Sequence, residues 1–387
     1  MKLAARMSRL GTEAAFEVLA RAKALEAKGV DVVHLEIGEP DFDTPRNIRD
    51  AAIEAINKGY THYTTSQGLP ELRTEIAKSL GSTRGITIDP DRIVVTTGAK
   101  PIMFYSILAL LGEGDEAIYQ DPLFPVYESM IKFSGATAVP IPLREELDFR
   151  MDMDELRSKV TPRTKLIIIN SPHNPSGGVM EEEDVRALAE IAREHDIIVL
   201  SDEIYDYIMY EGKNYSIASQ PGMLDRTIIL NGFSKTYAMT GWRTGYGFFP
   251  AELVESIVRF VTNSTSCVPP IVQYASIEAL RGPQDSVPKM VAELKKRRDL
   301  IVDGLNTIPG ISCHLPKGAF YVFPNIKKLS MSSAEFSDYL LNKAGVACLP
   351  GTAFGKSGEG YLRISYATSQ DNIKKALERI ETAVAKL

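Results

Sequence analysis

The chain is poor in cysteine: Cys267, Cys313 and Cys348 are the only ones in 387 residues. An odd, widely spaced set supplies neither a disulfide framework nor the paired spacing of a metal site, so no metal is expected. Such usage fits a reducing cytosol, and a cytoplasmic protein is expected. Basic excess is lacking too, because 44 Lys and Arg face 50 Asp and Glu, for a net charge of -6. That balance offers no footprint for nucleic acid and no polybasic face for a membrane surface, which leaves small molecules as the expected partners. Long apolar runs are missing: the most apolar stretch, 102–111, is about half the length of a membrane span and contains Ser106. The first 30 residues carry basic side chains, but Glu13, Glu17 and Glu26 are interspersed and there is no continuous apolar core. A docking helix is expected there instead of a targeting segment. No internal repeat or low-complexity tract is present.

What the sequence does hold is an ordinary globular composition, 44% hydrophobic and 24% charged, over a length that calls for one large and one smaller domain. After the N-terminal helix a short strand is expected at 32–37. The turn-rich Gly38-Glu39-Pro40-Asp41-Phe42-Asp43-Thr44-Pro45 follows, then a helix at 48–57, a polar aromatic loop at 60–68 and a helix from Pro70. From Asp91 strands at 93–97, 116–120, 166–170, 197–201 and 227–230 alternate with helices at 101–111, after Pro125 and at 182–195. This alternation predicts an α/β fold with a mainly parallel sheet sandwiched by helices and a ligand outside the carboxyl ends of the strands. Beyond Pro250 helices dominate, at 251–261, 271–280 and 287–305. Short strands at 320–323, 346–349 and 362–365 and helices at 333–344 and 370–386 complete a smaller α+β domain. Ser332 with Glu335 reads as a capping box.

The strand ends carry the chemistry. Lys235 lies in Asn231-Gly232-Phe233-Ser234-Lys235-Thr236-Tyr237, just past a buried strand, with Met239 and Trp242 nearby. Burial among such neighbours lowers a lysine's pKa and frees a neutral amine for nucleophilic or base chemistry; the segment alone equally fits a surface lysine beside a structural arginine. Arg243 offers a planar donor fork for phosphate or carboxylate. The turn Gly98-Ala99-Lys100, between a strand and a helix with Pro101 in its first turn, makes an anion site. Asp202 emerges from a buried strand, where it needs a cationic or hydrogen-bonding partner or else caps a helix. Asn174 reads as a site residue or a turn former, Gly38 as a close backbone approach or a plain strand end, and Arg363 as a carboxylate fork or a structural ion pair. Gly351-Thr352-Ala353-Phe354-Gly355-Lys356-Ser357 looks like a nucleotide loop but has three residues between its glycines where that motif needs four. A lysine, an aspartate, an asparagine, a tyrosine, an arginine and an anion-binding turn together suit a phosphorylated pyridine aldehyde.

With these motifs, the chain resembles the class I/II aminotransferases, the fold-type I enzymes dependent on pyridoxal 5'-phosphate, over nearly all of its length. The likeness rests on the 38–45 turn, Gly98-Ala99-Lys100, Asn170-Ser171-Pro172-His173-Asn174-Pro175-Ser176-Gly177, Ser201-Asp202-Glu203-Ile204-Tyr205, the segment 233–246 and Leu362-Arg363-Ile364-Ser365. It implies that Lys235 is the Schiff-base lysine, Asp202 the partner of the ring nitrogen, and Asn174 and Tyr205 the donors to the phenolic oxygen. It also implies that Phe124 stacks on the ring, that Arg243 and the amides of Ala99 and Lys100 hold the phosphate, and that Arg363, Asn174 and the Gly38 backbone hold the substrate α-carboxylate. Many relatives have serine where this chain has Gly232, which leaves Ser234 as a further phosphate contact. Tyr63 resembles the residue that reaches the neighbouring subunit's cofactor, implying a homodimer whose interface also includes 263–269. The division implied is 1–45 joining the small domain, 46–284 as the large cofactor-binding domain and 285–387 as the small one.

The activity implied is transfer of an amino group from an L-amino acid to a 2-oxo acid, 2-oxoglutarate being the expected acceptor. Lys100 could answer a side-chain carboxylate, which makes aspartate or glutamate the first choice of donor, with aromatic or alanine-type substrates, which Phe16, Tyr63 and Phe124 could favour, as close rivals. A β-lyase would use the same residues to labilise the Cα proton.

Overall fold

A parallel strand covered on both faces must be apolar along its whole length. The runs Leu-Ile-Ile-Ile (166–169) and Ile-Ile-Leu (228–230) meet that demand and are buried residue by residue. They belong to a seven-stranded sheet in the computed structural model, which describes residues 3–387. In chain order the elements are helix α1 (Ala14–Glu26), strand β1 (Val33–His34), α2 (Arg46–Asn57), α3 (Pro70–Arg84), β2 (Ile93–Thr96), α4 (Lys100–Leu110), β3 (Glu116–Asp121), α5 (Val126–Ser134), β4 (Thr137–Pro142), α6 (Met153–Lys159), β5 (Thr164–Asn170), α7 (Glu182–Glu194) and β6 (Ile198–Asp202). There follow β7 (Thr227–Gly232), β8 (Gly245–Phe248), α8 (Ala251–Ser264), α9 (Pro270–Arg281), α10 (Ser286–Thr307), β9 (Tyr321–Val322), α11 (Ser333–Tyr339), β10 (Val346–Ala347), β11 (Leu349–Pro350), β12 (Leu362–Ser365) and α12 (Gln370–Val384).

The large sheet has the order β2-β8-β7-β6-β5-β3-β4. Strand β8 is antiparallel to both β2 and β7, and every other pair is parallel. The carboxyl ends of β2, β3, β5, β6 and β7 and the amino end of β8 therefore share one edge. Chain order reverses between β5 and β3, the switch point at which such sheets open a crevice.

Two strands escape the sequence reading. Strand β4 contains Pro140 and Pro142, which read as turn residues; it is an edge strand, where a missing N–H costs no ladder bond. Strand β8 holds two glycines in four residues and is ordered by neighbours on both sides. The strand expected at 346–349 divides at Cys348, because the chain leaves β1 as partner and takes up β12. The one expected at 32–37 shrinks to β1, although Leu35 still exchanges backbone bonds with Ala347 and Ser365. The helix expected at 333–344 is α11 followed by a single π turn, ended by Gly345 in the left-handed region, and the Ser332–Glu335 capping box is formed.

The N-terminal helix is shorter than the 30 residues read as helical, and Met1 and Lys2 lie outside the described residues. A 3-10 turn at Ala5–Arg9 precedes α1, and the Gly11 N–H between them donates to Ser129 Oγ at 2.8 Å. Val18 and Ala22 of α1 pack with Leu341, Ala347, Leu349 and Phe354, so the start of the chain is fixed to its C-terminal part. Among the described residues no helix is long and apolar enough to cross a membrane.

Candidate active site

The shared edge of the sheet opens onto a cavity of about 530 Å³. Ala99 and Lys100 leave β2, Phe124 follows β3, Asn170 and Asn174 leave β5, Asp202 and Tyr205 leave β6, and Ser234 and Lys235 leave β7. Arg243 precedes β8, Gly38 follows β1, and Arg363 enters from β12. The predicted site residues thus converge from both ends of the chain. Two predicted residues lie outside the cavity lining: Gly98, which sits against the Arg243 guanidinium, and Tyr63, which is 90% exposed.

Lys235 donates to the Gly38 carbonyl and lies 5.7 Å from the centre of the Phe320 ring. Burial lowers its pKa to about 8; the Glu39 charge opposes the shift, and Arg363, Arg243 and Lys100 reinforce it. The neighbours that desolvate it are not those read from the sequence. Tyr237, Met239 and Trp242 pack into a separate hydrophobic cluster, and the Trp242 indole N–H donates to Thr44 Oγ1 at 2.9 Å. The physical reason is direction: after Lys235 the chain makes a tight reversal, closed by a Met239 N–H to Ser234 carbonyl bond, that carries those side chains away from the cavity.

Asp202 is buried and accepts from Tyr127 Oη at 2.7 Å and from the Ile204 N–H at 3.2 Å. Burial lifts its pKa to about 6 despite those bonds. Its environment is one a positive charge would complete. Arg363 is similarly incomplete: it is buried, donates to the Glu36 carbonyl, stacks 4.7 Å from the Tyr321 ring centre and, among the described residues, has no carboxylate partner. Its Nε and the Asn174 Oδ1 are buried without hydrogen-bond partners. Arg243 donates to the Thr240 carbonyl at 2.8 Å and lies over Gly98, where a Cβ would fall inside its guanidinium. Gly98 also has φ +83°, so the turn before α4 needs glycine on two counts.

These features fit one kind of group. A phosphate suits Arg243 and the unsatisfied N–H groups at the start of α4, a protonated ring nitrogen suits Asp202, an aldehyde suits Lys235, and a substrate carboxylate suits Arg363. Four further residues carry no local signal in the sequence. Tyr321, whose Oη lies 2.8 Å from Tyr205 Oη, reaches the cavity only because β9 pairs with β12. Tyr127 meets Asp202 across 75 residues. Glu39 accepts the Thr240 hydroxyl, and Glu13 pairs with Lys100.

Fold and site together define an α/β protein whose cavity, with its buried lysine, suits a phosphorylated aldehyde cofactor. Residues 30–380 match the family described as aminotransferase class I and II, and the chain belongs to that family: it is an aminotransferase that depends on pyridoxal phosphate. It is 45% identical over 355 residues to the aspartate aminotransferase of Pyrococcus abyssi, covering 91% of each chain. It is 43% identical over 360 residues to aromatic-amino-acid aminotransferase 2 of Thermococcus litoralis, covering 92% of each. The crystal structure of the aspartate aminotransferase from Rhizobium meliloti superimposes with a TM-score of 0.96 at 39% identity over 100% of both chains.

Proposed function

We propose that this aminotransferase takes aspartate as amino donor and 2-oxoglutarate as acceptor. The supporting observation is a pair of separate cations on the cavity wall, Arg363 deep within it and Lys100 at the start of α4, which match the two carboxylates of a dicarboxylic substrate. Arg363 holds the α-carboxylate bidentately, with the Asn174 side chain and the Gly38 backbone beside it. Bound pyridoxal phosphate supplies the electron sink for charge left at Cα. Asp202 would keep a proton on the ring nitrogen, the Asn174 and Tyr205 side chains would donate to the ring oxygen, and Phe124 would lie against the ring. Arg243, Ser234 and the amides of Ala99 and Lys100 would hold the phosphate. Lys235, whose amine faces the cavity, would be the group that anchors the cofactor and takes the Cα proton of a bound substrate.

The active unit in this reading is a homodimer. Gln273 is buried and ties two exposed loops together, its amide nitrogen donating to Thr64 Oγ1 at 3.0 Å and the Val268 carbonyl at 2.8 Å while its oxygen accepts from the Leu69 N–H at 2.7 Å. Ile53, Ile56, Tyr60 and Tyr63 are exposed beside them, an apolar surface suited to a second copy. The reading keeps 46–284 as the large domain and 285–387 with 1–45 as the small one, in a cytoplasmic enzyme whose three cysteines are free.

Single-turnover rates with aspartate, glutamate, phenylalanine and alanine, read from the loss of the cofactor's visible band, test the substrate. Aspartate should be fastest. A phenylalanine or alanine rate well above that of aspartate removes the acidic assignment, and release of pyruvate and ammonia without amino transfer to a 2-oxo acid supports a β-lyase.

A further inference from the structure

The cation offered to the distal carboxylate is already engaged. Lys100 Nζ is paired with the Glu13 carboxylate inside the cavity lining, across 87 residues of sequence. Three carboxylates line the cavity. Asp202 takes the Tyr127 hydroxyl and Glu39 takes that of Thr240. Glu13 alone pairs with a lining cation, and among the described residues Lys235, Arg243 and Arg363 have no carboxylate partner.

Glu13 also forgoes the structural task open to it. It is the N-cap residue of α1, a position where a side-chain oxygen ordinarily accepts from the first turn, yet it makes no capping bond. Its side chain extends to Lys100 instead. One helical turn further on, Phe16 lines the same cavity and is 62% exposed. Lys100 lies 5.3 Å from the centre of the Phe124 ring. Acid, base and two aromatic rings thus frame a single distal subsite.

We propose that Glu13 is a specificity-determining residue, an internal stand-in for the distal carboxylate of the substrate. This deepens the acidic-substrate reading and rests on its placing the substrate side chain near Lys100. When an apolar or aromatic side chain occupies the subsite, Glu13 stays on Lys100, and the substrate packs against Phe16 and Phe124 with no bare cation to desolvate. When an acidic side chain arrives, its carboxylate replaces that of Glu13, which swings to water. The exchange is feasible because the pair is partly exposed, with side-chain exposures of 48% for Lys100 and 18% for Glu13, and such pairs hold weakly. One subsite then serves both substrate classes, with Glu13 setting the ratio between them.

The test is Glu13→Gln in the cofactor-loaded enzyme, with kcat/KM measured for aspartate and phenylalanine and the visible band confirming loading. Removing the competing carboxylate should raise the aspartate value by roughly fivefold and lower the phenylalanine value by a similar factor, most of it in KM. In a Lys100→Met background the same substitution should leave the aspartate-to-phenylalanine ratio unaltered. A ratio unchanged by Glu13→Gln alone, or an equal change in both backgrounds, overturns the inference. Failure of the substrate reading looks different: the wild-type enzyme would not turn over aspartate. In that event Glu13→Gln must create aspartate turnover, and its continued absence overturns the stand-in role as well.

Discussion

Burial works against the charge on Lys235, and the cations Arg363, Arg243 and Lys100 add to the effect, so its pKa falls to about 8. Below that pH the side chain is an ammonium without a lone pair; above it the free amine can attack an aldehyde. Loading of the cofactor-free protein with pyridoxal phosphate should therefore accelerate with rising pH and level off beyond an inflection near 8, as followed by growth of the visible band in stopped flow. An unperturbed lysine would place that inflection near about 10.4, and a rate still climbing steeply at that pH would contradict the assignment. Residues of this kind are legible in the sequence because each follows a strand whose apolar run announces burial: Lys235, Asp202 and Asn174 all do. Glu13, Tyr127 and Tyr321 are not, because their role depends on a partner 75 or more residues away. Trp242 shows the reverse error, since closeness in sequence to Lys235 suggests contact where the turn at Ser234–Met239 prevents it.

Among the elements, α3 has a function that its own sequence does not reveal. Its last residue, Arg84, is almost fully buried and donates to Glu203 from Nε at 2.9 Å and to Asp206 at 2.9 Å. These two acids alternate with Asp202 and Tyr205 in the segment leaving β6, so the end of α3 fixes the loop that presents both site residues. Burial disfavours the guanidinium charge, but Glu203 and Asp206 outweigh it and keep Arg84 ionised. Arg84→Met would leave two buried carboxylates sharing one environment without their cation. A loss of about 3 kcal/mol in unfolding free energy is expected, measurable by urea denaturation of the loaded enzyme, together with weaker cofactor retention. A loss below about 1 kcal/mol would mean that water reaches the acids and that the loop is held by other contacts. The longer helices and the central strands are readable from periodicity, Pro70 and Pro101 in first turns, and runs of β-branched residues, whereas the two-turn α6 escapes the sequence. Strands β4 and β8 are not, because proline and glycine obscure them and only their neighbours in the sheet give them order.

On the scale of the whole molecule, the chain gathers its site from residue 13 to residue 363, yet Tyr63 lies outside that lining with 90% of its surface exposed. The loop that carries Tyr63 is not loose: Thr64 and Leu69 are bonded to the buried Gln273, and Tyr60 stacks on Tyr274 at 4.4 Å. An ordered, exposed tyrosine on an apolar surface is what a symmetric dimer needs if each copy completes the other's site. Mixing two defective chains tests this directly. Lys235→Ala removes the proposed nucleophile, and Tyr63→Ala removes the group proposed to reach the partner. If Tyr63 acts across the interface, a mixed dimer holds one doubly damaged site and one with both wild-type residues. Unfolding and refolding the two variants together at equal amounts should then restore about a quarter of all sites to wild-type cofactor affinity and turnover. If Tyr63 acts within its own chain, every site in the mixture lacks either its lysine or its tyrosine, and activity stays at the average of the two parents. That average, observed in material shown to contain mixed dimers, would remove Tyr63 from the site.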